Sequence, residues 1–328
     1  MQDWRQILAA SFRDGEALLR YLEIAPDSAL PQGHAALSFP LLVPRPFADQ
    51  MTKGDLHDPL LRQVLPSDSE TRKSAGFITD PLGERQSNIQ PGIVHKYHGR
   101  VLLLAATACA VNCRYCFRRH FDYSDNRLSR EERKKALDYV RNDNSITEVI
   151  LSGGDPLMLQ DDALAELIRD IDQIPHVTRL RIHSRLPVVI PQRLTTELIQ
   201  QLNGSRCLTT LVLHVNHANE LSELHRQPLQ ALRNGGTTLL NQSVLLKGVN
   251  NKLSILSDLS EHLFTFGVIP YYLHLPDKVE GTQHFDVSDK EGGELYLQLR
   301  ALLPGYLVPQ LVRELPGEPY KLPFSVLA

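Results

Sequence analysis

Three of the four cysteines lie within eight residues of one another, in the segment Cys109-Ala110-Val111-Asn112-Cys113-Arg114-Tyr115-Cys116. Spacings of four and three residues allow one loop to place three thiolates around a single inorganic centre, and thiolates are the usual ligands of iron–sulfur clusters. Three protein ligands leave one iron of a cubane cluster open to a substrate. The spacing therefore predicts a [4Fe–4S] cluster held by Cys109, Cys113 and Cys116.

A structural zinc site is the alternative for these cysteines, with Cys207 or His120 as the fourth ligand. Zinc sites generally pair two short Cys or His hooks across a longer spacer, whereas this chain has one triple hook. Cys207 lies alone in an apolar stretch and is predicted to be a small buried apolar residue. Clustered rather than dispersed cysteines favour a metal site in a reducing compartment, so the protein is predicted to be cytoplasmic.

The elements that position this loop follow a repeating pattern. Short apolar runs recur at residues 101–105, 148–151, 179–182, 208–213, 239–246 and 268–273. Helical patterns separate them at residues 130–141, 161–174, 195–202, 220–234 and 253–266. Six such alternations predict an α/β fold with parallel strands, curved into a partial (β/α)6 barrel. Functional residues of such barrels lie at the carboxyl ends of the strands.

Composition and charge suggest how the 328 residues are organised. Residues 1–97 are predicted to form a mainly helical, proline-punctuated extension, residues 98–305 the barrel, and residues 306–328 a short C-terminal segment. The formal net charge of −3 argues against a nucleic-acid partner or an acidic membrane surface. The longest apolar run, residues 101–110, is too short to span a membrane, and the N-terminus has no apolar leader segment.

Several segments resemble radical S-adenosylmethionine lysine 2,3-aminomutases, and they occur in the same order. They are CAVNCRYCFRRHF (109–121), LSGGDPL (151–157), SRLPVVIPQ (184–192), LLNQSVLLKGVN (239–250) and YYLHLPD (271–277). The resemblance extends from about residue 96 to residue 321. The compact length is similar to the branch whose product, (R)-β-lysine, is attached to translation elongation factor P.

This resemblance implies a radical-SAM barrel and an isomerase that converts L-α-lysine to β-lysine. The implied cofactors are the [4Fe–4S] cluster, S-adenosylmethionine and pyridoxal 5′-phosphate. The implied partners are L-lysine, elongation factor P or its lysyl-ligase, and an external electron donor such as flavodoxin. Two alternatives remain: radical chemistry on another amino acid or a protein-attached lysine, and a non-catalytic metal-binding partner of the factor.

The resemblance implies ligands for S-adenosylmethionine at the ends of strands. Gly153, Gly154 and Asp155 match the motif that contacts its amino group, and glycines permit close approach of a ligand to the backbone. An ordinary βα turn is the alternative for this motif. His214 and Gln242 match positions that contact the nucleoside, although each is also typical of a hydrogen-bonded polar residue near the core.

Lys321 matches the catalytic lysine that binds pyridoxal phosphate covalently. The family carries a run of glycines just before this lysine, which is reduced here to Gly317 between prolines. Arg100, just before the first barrel strand, is implied as a partner of the phosphate. A solvated lysine in the C-terminal segment and a surface charge at a strand end are the alternatives for these two residues.

Arg118, Asp277 and Glu314 are implied as substrate ligands. The guanidinium of Arg118 matches the group that forks onto the substrate carboxylate; balancing the negative charge of the cluster is the alternative. Asp277 and Glu314 match the acid pair that binds the ε-ammonium, with glutamate in place of aspartate at 314. Two carboxylates favour a cationic side chain, so lysine is predicted rather than glutamate.

Overall fold

The computed structural model of the protein describes residues 3–25, 39–121 and 129–324. Ten strands form one mixed sheet, in which the order in space follows the order along the chain. The strands are β1 Asn88–Gln90, β2 Ile93–Tyr97, β3 Arg100–Ala106, β4 Glu148–Gly153, β5 Arg179–Ser184, β6 Leu208–Leu213, β7 Thr238–Val244, β8 Ile269–His274, β9 Gln310–Arg313 and β10 Leu322–Pro323. Strands β3 to β9 run parallel to one another, whereas β1, β2 and β10 are antiparallel additions at the two edges.

The parallel part of the sheet is a partial α/β barrel, which confirms the predicted fold class. Within the described ranges β1 and β10 are not paired, so the sheet remains open. The structure adds a seventh parallel strand to the six predicted, because β9 pairs with β8 through Tyr272 opposite Gln310 and His274 opposite Val312. Four residues preceded by Pro309 are too short a run to reveal a strand from the sequence.

Helices connect the parallel strands and cover the outer face of the sheet. The helices are α1 Trp4–Ala9, α2 Gly15–Tyr21, α3 Arg45–Ala48, α4 Pro59–Arg62, α5 Glu84–Ser87, α6 Arg130–Asn142, α7 Asp161–Asp172, α8 Leu186–Val189, α9 Thr196–Asn203, α10 Arg226–Asn234, α11 Leu253–Thr265 and α12 Asp289–Leu302. Helix α6 begins with a capping box, in which Ser129 and Glu132 each accept the other's backbone N–H, at 3.2 and 2.7 Å. None of the described helices is both long and apolar enough to cross a membrane.

The N-terminal region shares one apolar core with the barrel. Trp4, Leu18 and Phe47 are almost completely buried, in the same cluster as Leu151 and Ile182 of the sheet. Burying each such side chain contributes about 1.5–3 kcal/mol, so this packing ties the region firmly to the strands. The division at residue 97 remains a prediction; β1 and β2, which precede it, are already part of the sheet.

Candidate active site

A cavity of about 410 Å³ opens at the carboxyl ends of the parallel strands. Its lining includes the last residues of β4, β5, β6, β7 and β8, which is where the fold predicts a site. All the predicted site residues line this one cavity: Cys109, Cys113, Cys116, Gly153, Gly154, Asp155, His214, Gln242, Arg100, Arg118, Asp277, Glu314 and Lys321. The cavity size is typical of a small-molecule site.

The cysteine loop follows β3 directly and presents its three partly exposed thiols to the cavity. Burial, together with the smaller effect of the neighbouring Cys113, raises the pKa of Cys116 to about 11. Burial likewise raises the pKa of Cys109 well above its usual value. Because metal ligation requires thiolates, binding of a cluster releases protons from these groups. Three cysteines that line one cavity are the ligand set that a [4Fe–4S] cluster with one open iron requires.

Neither candidate for a fourth zinc ligand reaches these thiols. Cys207 is buried just before β6, at the opposite end of the strands, where its thiol lies 3.4 Å from the Val177 carbonyl oxygen. His120 is outside the cavity lining, with Nε2 3.0 Å from the carbonyl oxygen of Glu280. The structure therefore favours the iron–sulfur interpretation over the zinc interpretation.

A buried carboxylate from the N-terminal region holds the cysteine loop in place. Glu70 accepts hydrogen bonds from Arg114 Nε at 2.8 Å and from Arg119 Nη2 at 2.7 Å. The side chains of all three residues are at most 3% exposed. Arg114 lies between two of the cysteines, so this ion cluster fixes the loop that carries them. Glu70 stands alone in a Pro/Ser-rich stretch, and the sequence gives no signal for this role.

Replacing Glu70 with glutamine is expected to destabilise the fold by about 3–5 kcal/mol, because two buried guanidinium groups lose their counter-charge. Chemical denaturation monitored by circular dichroism measures the change, and iron content after reconstitution reports on the loop. Glu131→Gln is the control, since Glu131 forms an exposed pair with Lys135 at 2.9 Å and its loss should leave the stability almost unchanged. Equal stability of the two variants would contradict this role for Glu70.

The glycines at the end of β4 let the next loop pass against the cysteine loop. A Cβ on Gly153 would lie 2.2 Å from the Ala106 carbonyl oxygen, and one on Gly154 would lie 2.4 Å from that of Ala108. Gly153 also has a φ of 123°, which side-chain-bearing residues rarely adopt. This close approach brings the backbone of the glycine motif against the segment that leads into Cys109.

Asp155, which follows these glycines, links the end of β4 to the end of β5 by hydrogen bonds. Its carboxylate accepts hydrogen bonds from Ser184 Oγ at 2.7 Å and from the backbone N–H groups of Arg185 and Leu186, both at 2.8 Å. The backbone N–H of Leu157 donates a further bond at 3.0 Å. Four donors nearly fill the acceptor capacity of a carboxylate, so a ligand would compete with them for Asp155.

Polar side chains near the other strand ends face the cavity. His214 Nε2 lies 2.7 Å from the hydroxyl of Tyr115, and burial lowers the pKa of His214 to about 3, so the ring is neutral. Among the described residues, Gln242 Oε1 is buried without a hydrogen-bond partner, as are Nε2 of His183 and of His274. Because unpaired buried polar atoms are rare, these atoms fit a polar ligand. The two unpaired histidines were not predicted from the sequence.

Arg185 links the cysteine loop to a buried polar network and was also missed. Its Nη1 lies 2.7 Å from both Cys113 Sγ and the Tyr115 hydroxyl. Its Nη2 donates to Gln63 Oε1 at 2.7 Å and to Glu220 Oε2 at 3.0 Å. Gln63 and Glu70 together show that the N-terminal region contributes directly to the surroundings of the thiols. The position of Arg185 directly after β5, within the family-like segment at residues 184–192, is the feature of the sequence that could have indicated this role.

A chain of alternating charges crosses the far side of the cavity. At one end of the chain, Arg118 pairs with Glu84. Lys96 follows, with its Nζ 3.9 Å from Glu84 Oε1 and 3.0 Å from Glu314 Oε1. At the other end, Glu314 also pairs with Lys321. Burial raises the pKa of Glu314, but the ammonium groups of Lys321 and Lys96 outweigh it and lower the pKa to about 2. Glu314 is therefore ionised and next to Lys321. Glu84 and Lys96 were not predicted from the sequence.

Asp277 and Arg100 complete this side of the cavity. Burial and the nearby carboxylate of Glu314 outweigh the opposing charge of Lys321 and raise the pKa of Asp277 to about 7. The guanidinium of Arg100 lies 4.6 Å from the ring centre of Tyr97. Arg181, a second cation in the lining, is paired with Glu148 at 2.6 Å. Cations beside an amine-bearing side chain suit a phosphate-bearing aldehyde such as pyridoxal phosphate.

Comparison with known proteins identifies the family. Residues 104–241 match the model of the radical SAM superfamily. L-Lysine 2,3-aminomutase of Escherichia coli K12 is 50% identical over 326 residues, which are 99% of this chain and 95% of that protein. The Haemophilus influenzae protein of that name is 49% identical over 98% of this chain and 95% of its own length. The Clostridium subterminale protein is 36% identical over 98% of this chain and 77% of its own length.

The family accounts for the convergence of thiols, glycine motif and C-terminal lysine on one cavity. Radical SAM proteins use a [4Fe–4S] cluster and S-adenosylmethionine, and lysine 2,3-aminomutases use pyridoxal phosphate as well, which confirms the three predicted cofactors. Aminomutases are isomerases, which confirms the predicted enzyme class. The chain belongs to the lysine 2,3-aminomutase family of radical SAM enzymes.

Proposed function

We propose that this enzyme converts L-α-lysine to β-lysine, as the (R) enantiomer, and that the product serves the modification of translation elongation factor P. One observation carries the proposal: the three thiols and Lys321, with the carboxylates of Glu314 and Asp277 beside it, line a single cavity. A radical initiator and an amine-binding cofactor then act on one substrate.

The cofactors supply the bond chemistry: the cluster and S-adenosylmethionine provide a radical, and pyridoxal phosphate carries the migrating amino group. The protein contributes binding, orientation and charge. Cys109, Cys113 and Cys116 hold the cluster, and Lys321 holds pyridoxal phosphate, with Arg100 as the cation for its phosphate. The backbone of the glycine motif, His214 and Gln242 line the place for S-adenosylmethionine.

The charges of the cavity favour a substrate with a cationic side chain. Glu314 is ionised at neutral pH, and Asp277 gains its charge near pH 7. An ε-ammonium between these groups gains two opposite charges, whereas a side-chain carboxylate in the same place would be repelled. The guanidinium of Arg118 is the proposed receptor for the α-carboxylate. This arrangement supports lysine over glutamate.

The proposed partners follow from the compact relatives. The chain matches the Escherichia coli and Haemophilus influenzae proteins over 95% of their length, in keeping with the compact branch. On this basis we assign elongation factor P or its lysyl-ligase as the acceptor of β-lysine, and a flavodoxin-like protein as the electron donor.

Anaerobic reconstitution tests the proposed function. The holoenzyme is incubated with dithionite, S-adenosylmethionine, pyridoxal phosphate and L-lysine, and the products are separated on a chiral column and identified by mass spectrometry. Formation of (R)-β-lysine that requires every component is expected. Deoxyadenosine without β-lysine would refute free lysine as the substrate and direct the test to lysylated elongation factor P. Cluster without deoxyadenosine would instead support a non-catalytic role.

The affinity for lysine is expected to rise with pH between 6 and 8. Below pH 7 Asp277 is neutral and only Glu314 attracts the ε-ammonium, whereas above pH 7 both carboxyl groups are charged. KM for L-lysine should therefore fall by about tenfold across this range. Steady-state kinetics at several pH values measure it, and Asp277→Asn should abolish the dependence at a uniformly high KM. A KM that rises with pH would contradict the assignment of Asp277.

A further inference from the structure

Glu84 lies between the two ends of the proposed substrate site. It begins helix α5, and its side chain is only 7% exposed. Its two carboxylate oxygens accept hydrogen bonds from Nε and Nη2 of Arg118, both at 2.7 Å. This is a bidentate, buried ion pair, the geometry in which a carboxylate best fixes a guanidinium plane.

The remaining nitrogen of the same guanidinium is also held. Arg118 Nη1 donates to Ser152 Oγ and to the Gly153 carbonyl oxygen, both at 3.2 Å. With Glu84 on one edge and the end of β4 on the other, the guanidinium cannot rotate freely. Glu84 therefore fixes the plane of the guanidinium at the cavity wall, and a substrate carboxylate would have to share or replace the weaker contacts of Nη1 with Ser152 and Gly153.

Glu84 is also connected, through Lys96, to Glu314 at the opposite end of the site. Lys96 Nζ lies 3.9 Å from Glu84 Oε1 and 3.0 Å from Glu314 Oε1, so one ammonium group is shared by the two carboxylates. The segment before Glu84 is fixed at its other end by backbone hydrogen bonds between Ile78 and the residues on either side of Val279, next to Asp277. The position of Glu84 is thus set by the same loop that carries an ammonium-binding carboxylate.

We propose that Glu84 is a positioning residue that sets the guanidinium of Arg118 for the α-carboxylate of the substrate, and so gives the enzyme its preference for amino acids over amines without a carboxylate. The inference rests on the proposed function. Glu84 carries no chemistry itself. It acts through the orientation and charge of Arg118.

The test compares two ligands that differ only at the carboxylate. L-Lysine is the proposed substrate, and L-lysinamide, which keeps both amino groups but lacks the negative charge, is tested as a competitive inhibitor. In Glu84→Gln the fork is lost because an amide presents one acceptor and one donor. KM for L-lysine is expected to rise by about tenfold or more, the effect of a misplaced charge-assisted pair. The inhibition constant of L-lysinamide should stay within about twofold of the wild-type value.

Two further variants keep the test decisive. Glu223→Gln is the matched control, because Glu223 makes the same bidentate contact with Arg226, at 2.8 and 2.7 Å, on the exposed surface. It should leave both constants unchanged. Glu84→Asp keeps the charge on a shorter side chain and should give an intermediate KM with wild-type iron content, which answers the question even if the glutamine variant folds poorly.

Each other result overturns the inference in a recognisable way. A wild-type KM in Glu84→Gln, or a parallel rise in KM and in the inhibition constant, would show that Glu84 has only a structural role, while the proposed function stands. If the wild-type holoenzyme forms no β-lysine, the proposed function fails and the positioning role fails with it.

Discussion

Replacing Cys113 with alanine is expected to remove the iron–sulfur cluster and β-lysine formation together, with a loss of at least about four orders of magnitude in kcat. Two thiolates cannot hold three irons of a cubane cluster. The variant also leaves Arg185, now 2.7 Å from Cys113 Sγ, facing a gap instead of a sulfur atom. Iron and sulfide content, the visible absorbance of the cluster and deoxyadenosine formation measure the effect.

Cys207→Ala is the matched control for this substitution. Cys207 is the one cysteine outside the predicted cluster, it is 4% exposed, and it packs in the apolar core away from the cavity. Its loss should leave iron content and activity at wild-type levels. A Cys113→Ala protein that keeps its cluster and isomerises lysine, or a Cys207→Ala protein that loses the metal, would overturn the assignment of the three ligands.

Replacing Lys321 with alanine is expected to lower β-lysine formation by at least about three orders of magnitude while the cluster remains intact. The variant removes the amine proposed to hold pyridoxal phosphate, and among the described residues Glu314 keeps Lys96 as its cationic partner. Borohydride treatment, which should fix pyridoxal phosphate to the wild-type protein, should no longer label the variant. Iron content should stay at the wild-type value.

Lys290→Ala is the control for this second experiment, since Lys290 is highly exposed and makes only a loose pair with Glu294 at 4.0 Å. Its activity and labelling should match those of the wild-type enzyme. Full activity of Lys321→Ala would remove pyridoxal phosphate attachment from the mechanism and favour radical chemistry on a different substrate.

The repeating part of the fold was predictable because parallel strands and their helices carry local signals. The run at residues 208–213 coincides with β6, and the run at residues 148–151 lies within β4, since buried parallel strands read as continuous apolar stretches. The short strands β1, β9 and β10 were not predicted. They have four residues or fewer, and only pairing with distant neighbours makes them strands.

The site residues divide along a similar line. Residues in dense motifs, such as the three cysteines, were found from the sequence and lie in the cavity. Glu70, Glu84 and Lys96 were missed, because each is a single charge in an unremarkable context. Their ion-pair partners are 12 or more positions away along the chain and meet them only in the fold: Lys96 pairs with Glu314 across 218 residues, and Glu70 with Arg114 across 44.

An open sheet has two edge strands, and the unpaired backbone groups of an exposed edge strand can hydrogen-bond to a strand of another chain. Here the border strand β1 has three residues and β10 has two. The second of these includes Pro323, which has no N–H to donate to another chain. Neither border offers enough backbone for a foreign strand. The barrel can therefore stay open without becoming a template for aggregation.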